Sequence, residues 1–496
     1  MSPQLSKISP HLSGTFSEYI LLPRKTEPGQ SFSDISLASS VATGFPLEIP
    51  FMSAAMESVT GEALAIALAL EGGLGVVPAG RLDVDEQLRL IRAVKSFQDG
   101  FQRDFVSARL SSKILDVEAL VARWGYSSFP VLDDDGCLLG EISNSDYHPA
   151  QDLELRVENK MKPLEELQVF HGDESRAKVT EGVLSSKVRR AYLVDEAGKL
   201  RELVFRKGLS RELRFNRALR DSQGQLKVAA AVSTHPEDRE RARACVEAGA
   251  DLLSIDASDG FSVYMEQTLE ELRDLGVPIV AGNVVCAEGF RFLATHGASA
   301  VKIGIGSGSI CTTRRVKAIG RGQATALLEV AQARDAWFEQ TGVYLPLVSD
   351  GGLSGTGNMA VALAMGADVL MMGKFFAAFN ESPTEPYLKK FSVSSGTKEL
   401  EVSVKVKPYW GEASARAKNV RRYEQTDPRT FVIEGEEGYV VSTGSIHDKL
   451  PGNLKAIKGT LSSCGCSTLA DFRSNVVLER QSSGSQNEGG TSILQG

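Results

Sequence analysis

The chain has 496 residues, 42% hydrophobic and 24% charged, which supports a core of ordinary size; at about 100–200 residues per domain it has room for two to four domains, although one eight-fold α/β barrel alone takes about 250. The formal net charge of −8 excludes a general nucleic-acid binder with a broad basic face, but not a local pocket for one anionic ligand. No apolar run approaches the roughly 20 residues of a membrane helix, and the polar start MSPQLSKISPHLSGTF has no apolar signal segment, so a cytoplasmic address is expected.

Apolar segments recur along the chain in strand–loop–helix order. Leu47–Met52 reads as a strand, and ALAIALALEGGLGVV (63–77) as a helix, a glycine turn and a second strand. Further on, three segments share one pattern: ARACVEAGADLLSIDASDG (242–260), FRFLATHGASAVKIGIGSGS (290–309) and MAVALAMGADVLMMGKFF (359–376). In each, an amphipathic helix ends in a glycine able to take φ > 0, and a nearly continuous apolar strand follows. KVAAAV (227–232), PIVA (278–281) and LPLV (345–348) supply intervening strands. Units in this number suggest a closed parallel barrel, with the active site on the loops after the strands.

Between 101 and 220 the character changes. PVLDDDGCLLGEISNSD (130–146) matches YLVDEAGKLRELVFRKG (192–208), with Asp133/Asp195 and Gly136/Gly198 keeping an acidic turn. Each copy reads as strand, turn, strand and helix start, and the pair resembles a tandem CBS-type module, for which a regulatory nucleotide is one expected ligand. Residues 378–445 carry many charges and weak periodicity and read as an irregular functional flap. The tail, 481–496, is polar and glycine-rich, a composition typical of disorder. The expected divisions are therefore 1–100 and 221–480 for the barrel, 101–220 for the insertion, and 481–496 for the tail.

The six cysteines are scattered and form no disulfide framework; Cys464 and Cys466 are close, but no second pair stands at zinc spacing and the six histidines are isolated. The informative one is Cys311, in GIGSGSICTTR (304–314). This loop follows an apolar strand. Its glycines permit close backbone approach, and a cysteine among small polar residues can act as a nucleophile when accessible. Asp350, in SDGG after LPLV, is a carboxylate able to grip two adjacent ribose hydroxyls. Gly373-Lys374, after VLMM, offers amides and a positive charge to a phosphate. Three successive strand ends thus suit a 5′-nucleotide.

GIGSGSICTTR, SDGG, GADVLMMGKFFA and KPYWGEASARAKNVRRYE are similar to the family of IMP dehydrogenases and GMP reductases, as are FSEYILLP, IPFMSAAMESVT and LEGGLG near the start. The resemblance runs through nearly the whole chain. It implies an α/β fold: a (β/α)8 TIM barrel with an inserted tandem CBS-type domain and a mobile flap. Within the family, Arg422-Tyr423 resembles the dehydrogenases and has no counterpart in the reductases. The implied reaction is NAD-dependent oxidation of IMP to XMP through a covalent Cys311 thioimidate that water then hydrolyses; the alternative is NADPH-dependent reduction of GMP to IMP.

By the same resemblance, Arg422 activates the water, Tyr423 and Thr313 position it, and Glu434 is a second proton acceptor. Ser309, Asp350, Gly352, Gly373 and Lys374 would hold the ribose phosphate, with Tyr409, Gly411, Glu412 and Met56 around phosphate and base. Asp256, Ser258 and Asn283 would meet the cofactor; no GxGxxG fingerprint sits in a βαβ unit. A potassium ion is implied at Gly306, Gly308 and Cys311, completed by Glu488, Gly489 and Gly490 of another subunit in a homotetramer. Two departures stand out: Ala54 replaces a common serine, and Lys374 stands where relatives have serine or arginine.

Overall fold

A computed structural model describes the chain except residues 1–8, 10–11, 27–30, 81, 98–99, 104, 125, 173, 213–214, 396–397, 419–431 and 491–496. Two compact units share it: residues 1–96 with 217–496, and residues 97–216.

In the first unit the short apolar runs form eight parallel strands: β1 (Phe51–Ser53), β2 (Val76–Val77), β3 (Ala229–Val232), β4 (Leu252–Ile255), β5 (Ile279–Val284), β6 (Ala300–Ile303), β7 (Leu347–Asp350) and β8 (Val369–Met372). Neighbours follow the chain from β2 through β8, β8 pairs with β1, and a parallel bridge between Met52 and Leu74 joins β1 to the β2 edge. The barrel is thus nearly closed. Its strands read as continuous apolar runs because helices cover the outer face while the inner face fills the core. Helices such as Asp238–Glu247, Ala287–Thr295 and Thr356–Ala364 follow the strands, and the glycines expected after them take φ of +103°, +89° and +113° at Gly249, Gly297 and Gly366.

Along each strand alternate residues point inward. Ala229, Ala231, Leu252, Val280, Ala300, Val348, Val369 and Met371 join one interior cluster, to which the antiparallel pair Ser39–Ala42 and Phe45–Leu47 adds Val41, Phe45 and Leu47. Continuing the alternation by two residues brings Lys302 and Asp350 to the inner face at the C-terminal ends of β6 and β7.

The outer layer is pinned by a buried charge network. The Asp368 carboxylate accepts from Arg334 at 3.2 Å, Arg473 at 2.6 Å, the Tyr344 hydroxyl at 2.9 Å and the Leu347 amide at 2.8 Å. Removing one partner of such a network strands the others without water. Asp368→Ala is expected to cost about 3–5 kcal/mol, read as a lowered urea midpoint of this unit.

Two segments depart from the sequence expectation. The stretch read as an irregular flap contains a three-stranded antiparallel sheet of Tyr387–Ser395, Lys398–Trp410 and Glu437–Val441. Intervening charged and polar residues hid a period-two pattern: Val402, Val404 and Val406 alternate with Glu401, Ser403 and Lys405. The described part of the tail is not structureless either: Ser483–Glu488 is a helix capped by the Ser482 side chain, directly after Leu478–Arg480, which pairs with Tyr19–Leu21.

The second unit holds two four-stranded sheets of matching plan. In one, Ala108–Arg109 runs parallel to Ser128–Leu132, which pairs antiparallel with Leu138–Ser143 and then Lys162–Pro163. In the other, Val169–His171, Arg190–Val194, Leu200–Phe205 and Phe101–Gln102 repeat that order. The helices Ile114–Trp124 and Arg176–Ser185 occupy corresponding places. A helix start was expected in both copies. Only the second has one, Arg206–Glu212; the first turns at Tyr147–Gln151, where Pro149 follows His148 and the Asp152 carboxylate accepts from the His148 amide.

Candidate active site

The C-terminal mouth of the barrel opens into a cavity of about 1550 Å³. Its lining includes Cys311, Asp350, Asp256, Asn283 and Tyr409.

The cysteine loop leaves β6 and lies against the Asp350 loop. Gly304 has φ +140°, and a Cβ there would collide with the Asp350 carbonyl, so glycine is required for this approach. Ser307 Oγ donates to that carbonyl at 2.6 Å, and the Gly352 amide donates to Ser307 O at 3.1 Å. The Gly352 N–H thereby helps to hold the two loops together, and Gly352 lines the cavity. A turn closed by Cys311 N donating to Gly308 O at 3.1 Å presents the exposed Cys311 side chain.

The sheet that follows β8 returns to complete the site. Cys311 bridges Gly435, Thr312 N donates to Glu434 O at 2.8 Å, and Glu436 N donates to Ile310 O at 3.0 Å. This pairing aligns three side chains. Cys311 Sγ lies 3.1 Å from Thr313 Oγ1, which donates to Glu434 Oε2 at 2.9 Å. Glu434 Oε1 is 2.6 Å from Lys317 Nζ. A thiol, a hydroxyl, a buried carboxylate and an exposed ammonium thus form one line from the cavity to the surface at Lys317, a route for moving a proton away from the sulfur's neighbourhood.

On the other side Gly373 needs its missing side chain: a Cβ would sit 2.9 Å from Tyr409 Oη and 3.1 Å from Met56 Sδ. Tyr409 is buried and hydrogen-bonds Ser309, and burial pushes its phenol up to about 12, so it remains a donor. Ser309, Gly373, Tyr409 and Met56 therefore converge, with exposed Lys374 beside them. Gly411 N donates to Glu436 O at 3.2 Å, and Glu412 Oε1 accepts the Glu57 amide at 2.7 Å, fixing that strand end to the loop after β1.

Asp256 and Ser258 line the cavity after β4 and are exposed. Asn283 lines the same cavity, and its amide nitrogen donates to Gly304 O at 2.6 Å and Asp350 Oδ2 at 3.0 Å. Sequence reading passed over Lys302, which is 1% exposed and whose Nζ lies 2.7 Å from Asp256 Oδ1. A lone lysine in the buried strand AVKI was the available signal. It also passed over Tyr264, 64% exposed on the cavity wall, and His235 nearby on the same lining. Arg422 and Tyr423 lie outside the described residues. Glu488, Gly489 and Gly490 end the tail helix, whose Gln486 side chain donates to Ser17 O of the same chain at 3.1 Å. No described helix is long and apolar enough to cross a membrane.

Residues 13–492 match the family model described as IMP dehydrogenase / GMP reductase domain. An inosine-5′-monophosphate dehydrogenase of Tritrichomonas foetus is 37% identical over 491 residues, covering 96% of this chain and 95% of that protein. The enzyme of that name from Escherichia coli K12 is 33% identical over 473 residues, covering 94% and 93%. Among solved structures, a GMP reductase of Trypanosoma brucei with guanosine 5′-monophosphate matches with a TM-score of 0.84 at 26% identity, over 98% of both chains.

Proposed function

We propose the reaction from one premise: this chain belongs to the IMP dehydrogenase/GMP reductase family of oxidoreductases. The reading is oxidation of IMP to XMP with NAD⁺, the committed step of guanine nucleotide synthesis. The observation that carries it is the line from Cys311 through Thr313 to Glu434, taken together with the presence of Arg422-Tyr423 in the sequence. A reductase has no water to activate, so the dipeptide favours the dehydrogenase. The inserted unit does not discriminate, because the reductase structure matches over 98% of both chains.

In this reading the Cys311 thiolate adds to C2 of the purine, and a hydride leaves C2, giving a covalent thioimidate. Bound NAD⁺ would accept that hydride. Water then attacks C2, its proton passes to Arg422 or along Thr313 to Glu434, and sulfur departs as XMP is released. Attachment to sulfur divides one difficult displacement into two easier steps. Asp350 takes the ribose hydroxyls of IMP. The phosphate falls to Lys374 and the Gly373 turn, with Ser309 and Tyr409 beside it; the lysine charge compensates the hydroxyl missing at Ala54.

The cavity fits a second ligand alongside IMP, since about 1550 Å³ exceeds the 300–1,000 Å³ usual for one small molecule. Asp256 and Ser258 would hold the nicotinamide ribose, Asn283 acts from behind through Asp350, and the exposed Tyr264 ring offers a stacking face at the rim. The turn at Gly306, Gly308 and Cys311 suits potassium through backbone carbonyls; among the described residues no cluster of His, Cys, Asp and Glu competes as a metal site. Glu488, Gly489 and Gly490 would complete that site in a neighbouring copy of a homotetramer. Residues 101–220 are assigned a CBS-type regulatory role with a nucleotide ligand, and the protein a cytoplasmic location.

The test is incubation with IMP, NAD⁺ and K⁺, following NADH absorbance and XMP by chromatography. Equimolar NADH and XMP are expected. Loss of GMP with NADPH, and no NADH from IMP, would assign the reductase reaction instead.

A further inference from the structure

The inner face of the barrel's last layer carries a charge arrangement that neither nucleotide alone explains. Lys302 is fully enclosed, on a strand whose neighbours Val301 and Ile303 are also buried. Burying an ammonium costs several kcal/mol unless it is paired in good geometry. Its Nζ sits 2.7 Å from Asp256 Oδ1, across from β4. The Asp350 carboxylate, at the end of the adjacent β7, also acts on it.

Three charged groups therefore share one small volume, two negative and one positive. Asp350 is further held by Asn283 Nδ2 at 3.0 Å, and its carbonyl by Ser307. Burial pushes the Asp350 carboxyl upward, the Lys302 charge and the Asn283 amide pull it down, and Asp256 pushes it up again. Tyr409, from the sheet after β8, lines the same cavity, and burial and the Asp350 charge both oppose ionisation of its phenol. Burial opposes the Lys302 ammonium, and the two carboxylates outweigh that and keep it charged.

We propose that Lys302 is a positioning residue shared by both nucleotide sites: it holds Asp256 toward the cofactor ribose by direct contact, and from the neighbouring strand its charge acts on Asp350, which Asn283 holds toward the substrate ribose. It rests on the ribose assignments under the proposed reaction. A carboxylate accepts from a pair of ribose hydroxyls best when ionised and fixed in orientation; one buried cation favours the ionised form of both carboxylates, while contact with Lys302 orients Asp256 and contact with Asn283 orients Asp350. Because the cation is shared, changing one aspartate must alter the other.

The experiment measures equilibrium binding of IMP and of GMP, which carry the same ribose phosphate, against pH without dinucleotide. Lys302→Met removes the charge and keeps much of the volume. It is expected to move the acid limb of binding up by about 1 pH unit, and to raise KM for NAD⁺ by about tenfold or more with a smaller change in kcat. Lys302→Arg should restore most of both. Asp256→Asn, at an exposed position, should move the same acid limb down, since Lys302 then serves Asp350 alone. An acid limb unmoved by Asp256→Asn overturns the proposal, even if Lys302→Met fails to fold; so does a Lys302→Met protein with wild-type pH dependence and KM for NAD⁺. Failure of wild-type turnover with IMP would instead strike the assigned reaction, because the acid-limb shifts are read in binding without turnover.

Discussion

Cys311→Ala is expected to lower turnover of IMP by on the order of 10⁴-fold or more, while leaving IMP binding within a few-fold of wild type. The cysteine is exposed in the cavity, whereas the groups assigned to ribose and phosphate come from other strand ends. Alanine therefore deletes the nucleophile without disturbing Asp350, Gly373 or Tyr409. The turn survives too, because it is closed by the residue's backbone amide on Gly308 and by its bridge to Gly435. Intact-mass measurement after acid quenching gives the direct check. Wild-type protein with IMP and NAD⁺ should carry a purine nucleotide adduct that maps to the 304–314 peptide, and the alanine variant none. An adduct on Cys286, the other partly exposed cysteine of this unit, would refute the assignment.

The same loop separates what is legible in local sequence from what is not. Glycines and serines after an apolar strand mark a catalytic loop by local chemistry alone, and SDGG and Gly373-Lys374 repeat the signal at the next two strand ends. What joins those loops is non-local. Nothing near Gly304 in sequence announces that the Asp350 carbonyl excludes a side chain there, and nothing near Thr313 announces Glu434, 121 residues away, as its acceptor. Family resemblance pointed to Glu434; the bridge between Cys311 and Gly435 supplies the reason for its position. The sheet of 387–410 was hidden for a different reason. Its outer part is exposed on both faces, Leu388 on one and Val402 on the other, so lysine, glutamate and serine stand between its apolar residues, and these also dominate irregular loops. Lys302 was hidden by its surroundings. In a strand buried on both faces every position looks equivalent, and only the inward alternation from Ala300 separates a charged member of the barrel interior from an error in the apolar pattern.

Arg422→Ala is expected to separate the two halves of the reaction. Hydride transfer needs the cysteine and both nucleotides but no base for water, so one equivalent of NADH per site should still form rapidly. Hydrolysis should slow by about 10²–10³-fold, the usual contribution of a general base, and the covalent adduct should accumulate to near stoichiometry in steady state. An arginine is an unusual base because its free guanidinium deprotonates only above about pH 12, which makes the alternative route through Glu434 chemically significant. Thr313 stands between the sulfur and that carboxylate at 3.1 and 2.9 Å, placed to take a proton from water attacking beside the sulfur and hand it on. Residual hydrolysis in the arginine variant should therefore vanish when Glu434→Gln is added, and the single Glu434→Gln change should have the smaller effect. Rapid-quench measurement of NADH and XMP in parallel distinguishes the outcomes. A burst followed by slow XMP release supports Arg422 as the main base. If Arg422→Ala releases both products together at the wild-type rate while Glu434→Gln accumulates adduct, the line from Thr313 to Glu434 is the principal path and the arginine only orients the water.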